Sequence, residues 1–252
     1  MRDALVAARL ALGTCRSVFA QPFAWGVLLA TALLIPTAAA FTLFGLDARI
    51  LLVREMGLGS CLLGGLFLVL FCENALPGED LRSGEALSLL AGPVAPGAYV
   101  AGRLGGLGLA LSLAHGAWAL SLWGTLRLFA AGPFDAGLGA ALLLGVLALL
   151  LLAATLQLLS LWLPAGAVLP AGVALYLCGQ ASELLLAAPA PFSWALSLLP
   201  QLGALDASAA AAAGEPLPAV FGAGALAYAV LFLFGVGALT RRTLVLRGAC
   251  LP

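Results

Sequence analysis

The chain has 252 residues, of which 63% are hydrophobic and 9% charged, with a formal net charge of zero and a mean hydropathy of +1.15. An average soluble domain carries roughly 25% charged residues, so these few charges cannot cover a water-exposed surface and lipid must cover it instead. The neutral balance also removes any electrostatic case for a nucleic-acid partner.

A membrane can be crossed by helices of about 20 apolar residues or by a closed barrel of roughly ten-residue alternating strands. The apolar runs here are continuous and rich in Leu, Ala and Gly, which selects helices. In chain order, residues 2–20 come first. Arg2, Arg9 and Arg16 recur every seven residues and so share one helix face, while Leu5, Leu10, Leu12 and Phe19 occupy the others. This pattern predicts an interfacial helix whose arginines reach the headgroups. Pro22 permits a bend into a first span over about 23–46.

Asp47, Arg49, Arg54 and Glu55 mark a short turn, followed by a second span over about 56–76. The most charged stretch of the chain lies within residues 77–98, expected as a loop. A third span covers about 99–126. Residues 136–182 carry no charge, enough for two helices, and Pro164-Ala165-Gly166 divides them into spans of about 137–163 and 167–188. Prolines and acids interrupt 189–216, which reads as a loop with short helices at the membrane face. The sixth span is about 219–240, closed by Arg241 and Arg242.

Arginines in short loops favour the cytoplasmic side. With six spans, one side collects Arg2, Arg9, Arg16, Arg82, Arg103, Arg241, Arg242 and Arg247, and the other only Arg49, Arg54 and Arg127. Eight against three places both termini and the 77–98 loop in the cytoplasm, and the 189–216 loop outside.

All eleven basic residues are arginine. A phosphate-binding loop of the Gly-x-x-x-x-Gly-Lys-Ser/Thr kind needs its lysine, so this chain carries no such motif. One histidine cannot supply a His-Glu-x-x-His zinc site, Ser182 beside Glu183 does not make a nucleophile and base, and the five cysteines show no metal-binding spacing. Neither a metal site nor a catalytic residue is expected. Polar groups within spans are functional candidates by default: Glu73 at the inner end of the second, His115 in the third, Gln157 in the fourth, and Gln180 and Glu183 towards the outer end of the fifth. Glu73 and Glu183 sit near span ends and are expected simply to reach water; Gln157 and Gln180 serve either as a polar path or as packing hydrogen bonds, and an interhelical hydrogen bond is expected for His115.

The segment from Glu79 to Arg103 carries more identity than the rest. It holds Glu79-Asp80-Leu81-Arg82-Ser83-Gly84-Glu85, then Leu89-Leu90, Pro93-Val94 and Gly102-Arg103. This order resembles the cytoplasmic loop of ABC-2 type transporter permeases: an acid, a Ser-Gly pair, a Leu-Leu, a Pro-Val, and an aliphatic-Gly-basic ending before the third span. The resemblance extends to the interfacial elbow helix, the six spans and the terminal arginines. It implies an all-α membrane protein with an ABC-2 (type V exporter-like) transmembrane domain in the bacterial cytoplasmic membrane. It further implies a dimer, with itself or with another permease, driven by a separate ATPase that holds ATP and Mg, with no cofactor in this chain. The 79–94 segment would be the coupling element, its leucines Leu87, Leu89 and Leu90 seating in the ATPase. Two alternatives stand beside it. One is a haem-exporter B-like subunit for cytochrome maturation, which shares the Asp80-x-x-x-Gly84 and Leu89-Leu90-x-x-Pro93 spacing. The other is a non-transporting membrane scaffold or assembly factor.

Overall fold

The computed structural model describes residues 2–41, 49–72, 77–91, 94–130, 132–181, 200–215 and 219–249. Among the described residues every regular element is helical. The α-helices are α1 (Arg2–Ala20), α2 (Pro22–Phe41), α3 (Arg49–Phe71), α4 (Pro77–Ser83), α5 (Glu85–Leu90), α6 (Pro96–Thr125), α7 (Ala136–Ser160), α8 (Ala165–Gln180), α9 (Ser208–Ala213) and α10 (Ala219–Ala249), with a π-helical turn over Leu126–Ala130 and a 3-10 turn over Gly203–Leu205. Five helices are long and apolar enough to cross a membrane, over Pro22–Ala40, Ile50–Phe71, Pro96–Phe129, Ala136–Ser160 and Phe221–Leu246. A shorter apolar helix covers Gly166–Gln180, and the remainder of the expected fifth span lies outside the described residues. The chain is thus an all-helical, multi-pass membrane protein.

Two boundaries differ from expectation. The second span begins about two turns early, inside α3, so Arg54 and Glu55 belong to the helix and not to a preceding turn. Arg54 is tolerated there because a carboxylate neutralises it, as described below. At the other end, α10 continues through Arg241 and Arg242 to Ala249 instead of closing on them.

The core packs α2, α3, α6 and α7 around Trp118, Leu122, Leu149, Leu152 and Leu156. Polar side chains repair the backbone where the sequence breaks it. Pro36 within α2 has no N–H, so the carbonyl of Ala32, four residues earlier, loses its helical donor. Ser121 of α6 donates to that carbonyl at 2.9 Å, which matters because an unpaired carbonyl in hydrocarbon costs several kcal/mol. Trp118 donates from Nε1 to the Leu28 carbonyl at 3.1 Å.

Helix α1 runs lengthwise on α6. A Cβ on Gly102 would lie 2.7 Å from Leu10 Cβ, and one on Gly106 would lie 2.5 Å from Thr14 Cβ. The Gly102-x-x-x-Gly106 pair therefore lets two backbones meet, and the registers advance in the same direction along both helices. Of the expected interfacial arginines, Arg9 and Arg16 are exposed, and the side chain of Arg2 lies outside the described residues.

Candidate functional site

Helices α4 and α5 form a short helical hairpin on the ends of α6, α7 and α10. Gly84, with φ of +82°, turns the chain between them through the left-handed region that only glycine enters without strain. At the start of α4 the Gly78 N–H donates to Ser160 Oγ at 3.1 Å, and a Cβ on Gly78 would collide with the Ser160 carbonyl. Glycine at this position thus lets the start of α4 rest on the last turn of α7. Arg82 donates from Nη1 to the Leu163 carbonyl at 3.2 Å, just past that helix end. A cation suits the exposed carbonyls there. Arg82 also pairs with Glu79 at 2.8 Å, an i, i+3 contact on the exposed side.

Asp80 points the other way. It is 3% exposed, accepts a hydrogen bond from the Tyr99 hydroxyl and pairs with the Arg103 guanidinium. Tyr99 and Arg103 stand one turn apart on α6, and the guanidinium lies 5.8 Å from the Tyr99 ring centre. Burial pushes the Asp80 carboxyl above its ordinary value, while the Tyr99 hydroxyl and Arg103 pull it back down. Arg103 reaches on to Thr14 Oγ1 of α1 at 3.4 Å. One carboxylate thereby ties α4 to α6, and its arginine ties α6 to α1.

The apolar side of the hairpin is committed as well. Ala86, Tyr99, Val100, Leu161 and Leu244 make a small buried cluster, with Leu81, Leu89, Leu90 and Val94 packed against it. Leu89 and Leu90, expected to seat in a partner, face this cluster instead; the side chain of Leu87 and residue Pro93 lie outside the described residues. Burial of about 25 cal/mol per Å² favours the nearest apolar surface, which is the protein's own. Among the described side chains of α4 and α5 the exposed ones are polar: Arg82, Ser83, Glu85 and Ser88, with Glu79 partly exposed. Gly102 also leaves the expected loop set, since its role is the contact with α1. Tyr99 was missed as a site residue. Its signal was available: a Tyr and an Arg at i, i+4 form a pair of donors on one face.

The intramembrane candidates divide. His115 and Gln180 line one narrow cavity of about 20 Å³ with Cys61, Leu142, Gly145 and Asp206, which is room for roughly one water. His115 Nδ1 lies 3.0 Å from the Leu111 carbonyl of its own helix, its ring packs edge-on to Trp118, and Nε2 has no partner. The interhelical bond expected of His115 is therefore absent among the described residues. Gln180 donates to the Tyr176 hydroxyl at 3.3 Å. Gln157, 1% exposed, does not line that cavity; its backbone carbonyl accepts from Ser160 Oγ, and its side-chain Nε2 has no partner among the described residues. Glu73 and Glu183 lie outside the described residues. No group of three or more possible metal ligands occurs among the described residues.

A second pair closes the opposite end. Arg54 of α3 pairs with Asp135 at 2.7 Å and donates to the Pro133 carbonyl at 2.9 Å and the Ala211 carbonyl at 3.5 Å. Asp135 also caps α7 by accepting from the Leu138 N–H at 3.0 Å.

Fold and site together define a multi-pass helical membrane protein with a polar-faced helical hairpin anchored on its spans. No protein-family model matches the chain, and no curated protein matches it.

Proposed function

We propose that the chain is the permease subunit of an ABC transporter of the ABC-2 kind, moving its substrate across the cytoplasmic membrane with force supplied by a separate ATPase. The observation that carries this reading is the two-sided hairpin. Its outer edge is polar and charged, while its inner side is fixed to three elements through Asp80, Gly78 and the Leu244 cluster. A force applied to Arg82, Ser83 or Glu85 reaches α6 through Asp80 and reaches α7 through Gly78. An element built to bind a soluble partner and pass on its movement needs both properties. Loop charges that merely solvated the chain would require neither a buried carboxylate nor a glycine fitted to a helix end.

The subunit would work as a dimer, with itself or a second permease, and ATP and Mg would reside in the ATPase. The one-water cavity around His115 is too small for a substrate, so a transport path would open only in another conformation or between subunits.

The test is purification in mild detergent from native membranes with cysteine in place of Ser88. A polypeptide with ATPase activity should co-purify and cross-link at that position. Reversing Arg82 and Glu85 together (R82E/E85R) should remove both the association and the stimulation of ATP hydrolysis. Loss of neither overturns the coupling role. Labelling of a Ser83→Cys variant by an impermeant reagent from outside intact cells would overturn the orientation.

A further inference from the structure

A cleft of about 920 Å³ opens between α6 and α10, lined by Val100, Ala101 and Leu104 on one wall and Phe234, Gly237 and Arg241 on the other. Helix α10 is the least covered of the five spans, with 11% of its most apolar window buried. It touches α6 where Leu244 enters the buried cluster beside Val100, and the cleft lies alongside that contact. Charge sits at one level only. Arg241 and Arg242 both line the cleft and are exposed, and no ion pair or hydrogen bond engages either among the described residues. Arg241 passes over the start of α6, its Cδ lying 3.8 Å from where a Cβ on Gly97 would be. That helix start has no side-chain cap, so its first N–H groups add a positive end to the two arginines. Going back along α10 from Arg241 to Leu233 is eight residues, about 12 Å, close to the roughly 15 Å depth of one leaflet, and the residues that line the cleft over that length, Ala238, Gly237, Phe234 and Leu233, are all apolar.

We propose that this cleft holds one anionic phospholipid, its phosphate on Arg241, Arg242 and the uncapped start of α6, and an acyl chain against Leu104, Phe234 and Gly237. Cationic charge at one end and a leaflet's depth of apolar wall beyond it match an amphiphile of negative headgroup, and basic pockets between spans on the cytoplasmic side take such lipids. A second copy of the chain fits less well. A two-fold contact brings the same patch to both sides, which would face these unpaired arginines with two more of their kind. The lipid site does not depend on the transporter reading, because it is tested on the purified chain alone.

Native mass spectrometry and thermal unfolding of the purified protein, supplied with phosphatidylglycerol or phosphatidylcholine in mixed micelles, decide the matter. The wild type should retain and be stabilised by phosphatidylglycerol over phosphatidylcholine. The R241Q/R242Q variant should lose about 30-fold in phosphatidylglycerol affinity, from two surface arginines. Gly237→Leu keeps both charges and places its side chain in open space, so it should fold normally yet exclude the chain. Equal retention of the two lipids by the wild type would overturn the site, as would unchanged retention in both variants. So would disulfide-linked dimers of an Ala238→Cys variant that form at the expense of lipid, since a second copy would then occupy the cleft.

Discussion

Each end of the bundle holds one arginine–carboxylate pair, and the two are built in opposite ways. At the Arg54 end the cation is the hub: it sits at 6% side-chain exposure and gathers Asp135 and two backbone carbonyls. Its carboxylate is one-third exposed and caps a spanning helix. The groups come from the span α3, from the turn that leads into α7 and from the short helix α9. At the Asp80 end the acid is the hub, gathering a tyrosine and an arginine from one face of α6. That acid rides on a seven-residue helix whose other side is exposed. The first arrangement clamps a bundle shut. The second connects an outside surface to a membrane helix, which is why a function is assigned to it and not to its counterpart.

Substitutions can break or sharpen that contrast. Asp135→Ala should have the largest effect on stability. It strands the buried Arg54, a change worth about 3–5 kcal/mol, and removes a helix cap worth about 1 kcal/mol. Thermal unfolding in detergent should show a large loss, while on the proposed function any protein that properly inserts should still bind and stimulate the ATPase. Asp80→Ala should cost somewhat less, about 3 kcal/mol, because Asp80 caps no spanning helix. The D80A/R103M double variant should recover part of that loss and still fail in coupling. Equal behaviour of the Asp80 and Asp135 variants in ATPase assays would erase the distinction between the two ends.

Tyr99→Phe removes one hydrogen bond to a charged group and leaves the ring in its cluster. A destabilisation of about 1.5–3 kcal/mol follows, with the α1–α6 contact intact by cysteine cross-linking. The smallest effect is on pH dependence. Because burial raises the Asp80 carboxyl in the folded state, the folded chain holds that proton more tightly than the unfolded chain. The associated stability is complete below the ordinary value of 3.8 and is lost as pH rises through the raised one. Relative to Asp80→Asn, the wild type should therefore lose stability as pH climbs from the acid range towards neutrality. A gain over the same range would mean that Arg103 and Tyr99 outweigh burial.

Much of the helical layout was legible in the chain because hydropathy is a local property: twenty adjacent residues decide whether a segment belongs in lipid. Five long apolar helices overlap expected spans, and the described chain leaves helix just before Pro164-Ala165-Gly166, between α7 and α8. The boundary at Arg54 was misjudged because a charge can sit inside a helix where it is paired, and pairing depends on residues far away in sequence, such as Asp135, 81 positions from Arg54. Arg241 and Arg242 differ: they are exposed where α10 runs on, and a charge free to reach solvent does not end a helix.

The candidate site divides along the same line. Sequence by itself determined that residues 79–103 were unusual, that the chain crosses a membrane as helices, and that it has no lysine for a phosphate-binding loop. Local composition and spacing suffice for those conclusions. Only the tertiary structure decided which side of the hairpin faces outward. Asp80 and Arg82 are two residues apart and chemically alike in their preference for water, yet one is locked against Tyr99 and Arg103 while the other lies on the surface. Leu89 and Leu90 likewise turned inward to a cluster that includes Leu244, more than 150 positions away. The direction a side chain takes is set by the partner that can satisfy it, and in this bundle those partners come from distant parts of the chain.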